Sequence, residues 1–369
     1  FTFSLTMSIL AAIAVLAVLI VVHELGHFLA ARLQGIHVNR LSIGFGPVLL
    51  KYQGEETEYA LRAFPLGGYV GFPDDDPDSD IPLDDPNLLR NRPVVDRAIV
   101  ISAGVIANLI FAYFLLVGQA ATIGFQDIHY QPGVLVPQVL SQEASAAVKA
   151  GLQSGDIILK VNSQTLGASK DAIISLRETI QNSANKPLGL QIQRGEKTLL
   201  LTVTPEVGKD GKGKIGVMLA PNGEAIRRSA GSLVEAFTFG AEEFQRIAML
   251  TAQGFGQLLT NFKENAGQVA GPVAIVAVGA ELARNNLGNL FQFGALISIN
   301  LAIINILPLP ALDGGQLAFL AIEALRGKPL PSKVQDGIMQ TVCVVLLGLG
   351  VFLILRDTAN LAVLQQLFQ

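Results

Sequence analysis

The stretch ILAAIAVLAVLIVVHELGHFLAAR, residues 9–32, decides the fold. Residues 9–22 carry no charge and no polar side chain, and His23, Glu24 and His27 arrive before the apolar run has ended, because Phe28 to Ala31 continue it. A run of this length has the signature of a membrane-spanning helix. Ionisable groups inside such a helix cost several kcal/mol and read as functional by default. Positions i and i+4 share one helix face, so His23 and His27 can present two imidazoles to one metal, with Glu24 beside them. Histidines at this spacing around a glutamate are the pattern of a zinc site whose glutamate is a general base. The expectation is Zn²⁺ on His23 and His27, with Glu24 catalytic.

Composition agrees with the class. Of 369 residues half are hydrophobic and 15% are charged, and the mean hydropathy is +0.47. The apolar excess comes in blocks of membrane length, so the expected fold class is a polytopic α-helical membrane protein with four spanning helices and a soluble part. A net charge of −4 supplies no basic patch and argues against nucleic-acid partners. The single cysteine, Cys343, excludes an intramolecular disulfide framework and a cysteine zinc site. The first run is too long for a signal-peptide core and is read as retained.

In chain order, residues 1–34 hold the first membrane helix. Residues 35–72 read as short strands near 37–43, 47–52, 57–64 and 68–72, with turns at Gly44–Pro47, Gly54–Glu56 and Pro65–Gly68. They are apolar for a solvated meander, so a membrane-associated β-region is expected. Residues 73–96 are acidic and proline-rich and read as a solvated, partly disordered linker. A second span follows at 97–118, with Asn108 near its middle. Charge and β-branched runs return in 125–220, expected as an inserted α+β domain. Residues 232–288 suggest an amphipathic helix on the membrane surface, then a short re-entrant or bundle-packed segment at 270–283. The last two spans are expected within 289–318 and 338–356. Lys and Arg flank the spans so as to put loops 32–96 and 312–337 on the cytoplasmic side and the inserted domain on the other.

Two histidines leave zinc one ligand short. Glu55, Glu56 and Glu58 are candidates; so is Asp313 in NLAIINILPLPALDGG, residues 300–315, where Pro308 and Pro310 must break the helix. Broken helices survive at membrane depth where protein or a wet cavity covers them. Asp313 with Gln316 could also be a helix cap, a role that does not exclude the ligand. The residues alone leave these readings open.

The segment AGLQSGDIILKVNSQ, residues 150–164, resembles the core of bacterial protease-type PDZ domains. Taken with HELGH, GPV at 271–273 and NLAIINILPLPALDGG, the chain resembles the site-2 protease family of intramembrane zinc metalloproteases, and most nearly regulators of sigma-E-type proteases, here with a single PDZ domain. The resemblance implies zinc on His23, His27 and Asp313, and Glu24 as general base and acid. It implies substrate-backbone contacts from Asn305 and the segment with Pro308 and Pro310, and strand pairing with substrate near Gly67 and Gly68. It also implies single-pass membrane proteins as substrates, a peptide or substrate ectodomain at the PDZ domain (Gly133 to Val136 being the guess for its groove) or a size filter there, a lipid-bilayer setting, and the bacterial inner membrane with the PDZ domain outside the cytoplasm. The competing expectations are a membrane-anchored protease of soluble peptides using Glu55–Glu58, and a non-catalytic PDZ scaffold.

Overall fold

The computed structural model describes residues 5–76, 79–140, 145–208, 211–261, 267 and 269–367. The chain divides into two compact units, residues 1–123 with 229–369, and residues 124–228.

The first unit is helical. Helix α1 (Leu5–Leu33) carries HELGH, and α2 (Val94–Thr122) packs along it. Lipid gives helices no hydrophobic reason to associate, so close approach through small residues must do it. Gly26 of α1 lies against α2 so closely that a Cβ there would stand 2.5 Å from the Ala103 carbonyl oxygen and 2.8 Å from Ala107 Cβ. Helix α5 (Leu233–Thr260) buries Ile247 against Ala112 and Leu116 of α2 and Ala295 and Ile299 of α7 (Asn289–Ile306). Of the amphipathic pattern expected at 232–263, Ala236 and Ile247 are buried on the helical body while Leu233 and Leu250 are exposed; residues 262–263 lie outside the described residues. Helix α6 (Pro272–Asn285) lies against α1 and α7. Helix α8 (Asp313–Arg326) follows the proline break, and α9 (Ser332–Leu367) closes the chain. Among the described residues, four helices, α1, α2, α7 and Lys333–Asn360 of α9, are long and apolar enough to cross a membrane.

Strands β1 (Arg40–Gln53) and β2 (Glu58–Gly71) are each bent into two segments. The register makes four: 48–53 pairs antiparallel with 58–62, while 40–43 lies between 58–61, parallel, and 68–71, antiparallel. The bends fall at Gly44 and Gly46 (φ 88° and 84°) and at Gly67 (φ 130°), conformations open to glycine. Phe45, Val48, Leu50, Tyr52 and Phe64 leave large apolar surface exposed.

The acidic segment departs from the disordered linker expected there. Asp74 carboxylate oxygens accept from the Leu89 and Arg90 amides at 3.0 and 3.3 Å, Asp76 accepts from Asn39 at 2.8 Å, and Asp85 accepts from the Asn87 amide at 2.7 Å. Such local bonds are invisible in composition, which is why the segment reads as solvated.

The second unit is a sheet in the order β10 (Ala220–Arg228), β3 (Phe125–Leu135), β4 (Ile157–Val161), β6 (Leu188–Arg194), β7 (Lys197–Val203), with β5 (Gln164–Thr165) beside β4. Helices α3 (Ala146–Ala150) and α4 (Asp171–Gln181) belong to it, and β8 (Glu206–Val207) pairs with β9 (Gly213–Lys214). Val134, Ile158, Leu176, Leu190, Ile192 and Val203 form its core. The sheet runs past the expected boundary at 220, because β10 pairs with β3 from Ala220↔Leu135 to Arg228↔Phe125. That pairing also corrects the groove expected at Gly133–Val136. Val134 and Leu135 are bonded to β4 on one side and β10 on the other, so no free edge remains there for an added strand.

Candidate metal centre

The i,i+4 spacing of α1 puts His23 and His27 on one face, and their Nε2 atoms lie 3.2 Å apart. Across the bundle, α7 ends at Ile306 and α8 begins at Asp313. Pro308 and Pro310 occupy the irregular stretch between, where neither can donate a backbone hydrogen bond. Gly314 and Gly315 let α8 fold back on that stretch: a Cβ at either would stand 2.2 Å from a carbonyl oxygen, of Ile306 and Leu309 respectively. The turn delivers Asp313 Oδ2 to 3.2 Å from His23 Nε2 and 3.5 Å from His27 Nε2. The helix cap is Leu312, without a side-chain cap bond, so the carboxylate faces the histidines and the capping-box reading of Asp313 with Gln316 fails.

Of the other candidates in Glu55–Glu58, two are engaged with cations. Glu56 is ion-paired with Arg32, and Glu58 with Lys51 and Arg40. Among the described residues, the grouping competent to hold a metal is His23, His27 and Asp313.

The fit to zinc can be tested on the donor atoms. The His27 Nδ1 hydrogen goes to the Val100 carbonyl oxygen at 2.8 Å, which leaves Nε2 a bare lone pair. Asp313 Oδ2 is buried and has no hydrogen-bond partner. The lone pairs of His27 Nε2 and Asp313 Oδ2, 3.5 Å apart, repel unless a proton or a cation lies between them. Ligands about 2.0–2.2 Å from a tetrahedral zinc stand roughly 3.3–3.6 Å apart. The three atoms match that spacing, so the residues fit zinc.

The second helix is shaped around the centre. Gly104 faces both imidazoles, and a Cβ there would fall 2.3 Å from His27 Nε2 and 2.8 Å from His23 Cε1. Arg97, at the start of α2, forms a two-pronged ion pair with Glu323 of α8, one bond being 3.1 Å, and so ties the helix of Asp313 to that of Gly104. Asn305, buried at the end of α7, points its amide nitrogen at His23 Nε2 from 3.3 Å. Gly68 brings β2 against Glu24: a Cβ there would stand 2.9 Å from Glu24 Cγ. Gly67, one residue earlier, packs on the Phe45 ring at the bend. Sequence reasoning underrated Gly104 and Arg97. A glycine in an apolar span signals close approach, but not what approaches.

Two histidines and a carboxylate converging beside a glutamate define a metal-dependent hydrolase site, here on helices apolar enough to span a membrane. The profile of peptidase family M50 matches residues 11–349. The chain is 62% identical to a protein of Nostoc sp. (strain PCC 7120) named as a zinc metalloprotease, over 98% of this chain and 100% of that one. It is 49% identical to the membrane metalloprotease ARASP, chloroplastic, of Arabidopsis thaliana (98% and 80% of the two chains), and 31% identical to Protease RseP of Yersinia pestis (95% and 98%). The chain therefore belongs to peptidase family M50, the site-2 proteases; it is a membrane zinc metalloprotease. Among solved structures it resembles a PDZ domain of the SdrC-like protein of Listeria monocytogenes, at 20% identity and TM-score 0.21, covering 24% of this chain and 87% of that one.

Proposed function

We propose that this protease hydrolyses a peptide bond within, or at the edge of, a transmembrane segment of a single-pass membrane protein, as in regulated intramembrane proteolysis. The observation that carries the reading is the place of the site. His23, Glu24 and His27 lie inside an apolar helix, and Asp313 meets them from a broken one. A substrate reaching this centre must bring its peptide bond to the same depth.

Zinc, when held by His23, His27 and Asp313, supplies a Lewis acid that polarises the scissile carbonyl and acidifies water. Glu24 takes a proton from the attacking water and returns it to the leaving amide nitrogen. A transmembrane helix hides its peptide groups in its own hydrogen bonds and must unwind to be cut. Residues 68–71 pair on one side with 40–43 and, among the described residues, with no strand on the other. That edge runs beside Glu24 and can replace the lost bonds by strand addition. Asn305, with its amide nitrogen already in the centre, is suited to donate to a substrate carbonyl. The stretch with Pro308 and Pro310 leaves carbonyl oxygens without helical donors to meet substrate N–H groups. The exposed apolar side chains of β1 and β2 suit contact with lipid. The covered edge of β3 favours a size filter over peptide capture for residues 124–228. Loop charges orient 124–228 to the extracytoplasmic side of a cell membrane, the inner membrane in a bacterium.

The test uses a single-pass reporter reconstituted with the full chain. E24Q should retain zinc and lose cleavage by about 10²-fold or more, and D313N should lower zinc content. Full activity in E24Q contradicts the base assignment. Unchanged metal in D313N contradicts the third ligand.

A further inference from the structure

The ligand His23 is held differently from His27. To offer Nε2 to a metal, a neutral imidazole must carry its hydrogen on Nδ1, and that hydrogen needs an acceptor. His27 has the Val100 carbonyl. Among the described residues, the hydrogen-bond partner of His23 Nδ1 is the side-chain amide of Asn108, at 3.2 Å. Asn108 is fully buried in the apolar α2, one turn after Gly104, and its side-chain oxygen has no partner. Its backbone carbonyl accepts from Ser298 Oγ at 2.8 Å, which fixes this turn of α2 against α7. A buried amide with one half unbonded is costly. The two ends of an Asn amide are interchangeable in shape, so their assignment follows from the hydrogen-bond network. With the nitrogen toward His23, Nδ1 would have to be an acceptor and Nε2 would carry the hydrogen, closing the centre to metal. With the oxygen toward His23, the orphaned acceptor is satisfied and Nε2 is free.

We infer that Asn108 is a positioning residue of the metal centre: its side-chain oxygen accepts the His23 Nδ1 hydrogen, fixing the ring form and orientation that bind the metal. The inference rests on the reading of His23 as a ligand. It assigns the amide in the middle of α2 a role in metal affinity, apart from helix packing.

The test measures zinc affinity of the full chain in detergent, by competition with a chromophoric chelator. Zinc alone is the probe, and the proteins are wild type, H23A, N108L, N108D and S298A. N108L, similar in shape but without an acceptor, should bind zinc about 10–100-fold more weakly. N108D, which keeps an acceptor oxygen facing His23 Nδ1 in either protonation state, should stay within about threefold of wild type, well inside that loss. S298A perturbs the same helix contact without touching His23 and should leave zinc affinity unchanged. Melting of the zinc-free proteins separates the roles, since N108L and S298A can both shift it while only N108L weakens zinc. If N108L does not fold, N108D decides: retention of zinc supports an accepting Asn108, and a tenfold loss overturns it. Wild-type affinity in N108L also overturns the inference, provided H23A has lost zinc. Unchanged affinity in H23A instead overturns the ligand reading beneath it.

Discussion

Gly104 does at the scale of one residue what no side chain could. It keeps α2 close enough to lie against both imidazoles. In G104A the new methyl overlaps His27 Nε2, and overpacking of this kind costs about 1–3 kcal/mol. The expected result is a folded protein with reduced zinc content, read by metal analysis and melting; full zinc occupancy would contradict the packing. A second residue-scale case is Asp156, whose side chain is 0% exposed. Burial pushes its carboxyl up, but a two-pronged bond from Arg194, both distances 2.7 Å, and the Gln153 amide at 2.8 Å outweigh burial and hold it below the usual carboxylate range. The folded pKa lies below the unfolded value near about 3.9. The stabilisation is therefore present above that pH and lost as pH falls through the folded pKa. The resistance of residues 124–228 to denaturant should weaken below about pH 4, and R194A should cost about 2 kcal/mol at neutral pH. A flat acid profile would contradict this. At this scale the sequence was most legible where chemistry is rare: four histidines in the chain, two of them flanking Glu24 by one and three residues, mark the centre. Asp313 was less legible, because a carboxylate before a helix is as often a cap as a ligand. The fold-back at Gly314 and Gly315 turns it toward the histidines, which no local pattern foretells.

Among the elements, spanning helices are readable because a continuous apolar run leaves few alternatives. The ends are less so: α2 extends from Val94 to Thr122, beyond the apolar core at 97–118. The β-region was read as four short strands with glycine turns. Its segment order was not readable, because nothing in an apolar strand says that 40–43 will sit between 58–61 and 68–71. β10 was missed because APNGEAIRR lacks an alternating apolar pattern. One contact between elements carries a prediction. Asp357 of α9 is buried, and its Oδ2 accepts from the Ala274 amide at 3.0 Å, capping the N-terminus of α6 from another helix. Cap bonds are worth about 1–2 kcal/mol. D357A should therefore speed amide exchange at Ala274 by about 5–30-fold. Unchanged exchange would show that the cap does not hold α6 to α9.

For the whole molecule, the ligands come from opposite ends of the chain. Their meeting depends on helix packing in which Gly26, Gly104 and the Arg97–Glu323 pair bring α1, α2 and α8 together. No local pattern contains that information, so Asp313 enters as a third ligand through family likeness; the structure sets its Oδ2 3.2 and 3.5 Å from the two imidazoles. The inserted unit has its own core and sheet. Its covered β3 edge leads to one expectation for the whole protein: removing residues 124–228 should relax discrimination against reporters with bulky ectodomains while the metal centre stays intact. Retained discrimination, read by the ratio of cleavage rates for long and short ectodomains, would count against a filter.

The central claim is that the bond is cut at membrane depth. Its most direct test is the cleavage position, determined by mass spectrometry of the products from a single-pass reporter reconstituted with the zinc-loaded full chain. New termini are expected inside the apolar segment or at its edge, absent with E24Q. Termini confined to the soluble flanks, or unchanged by E24Q, would contradict it.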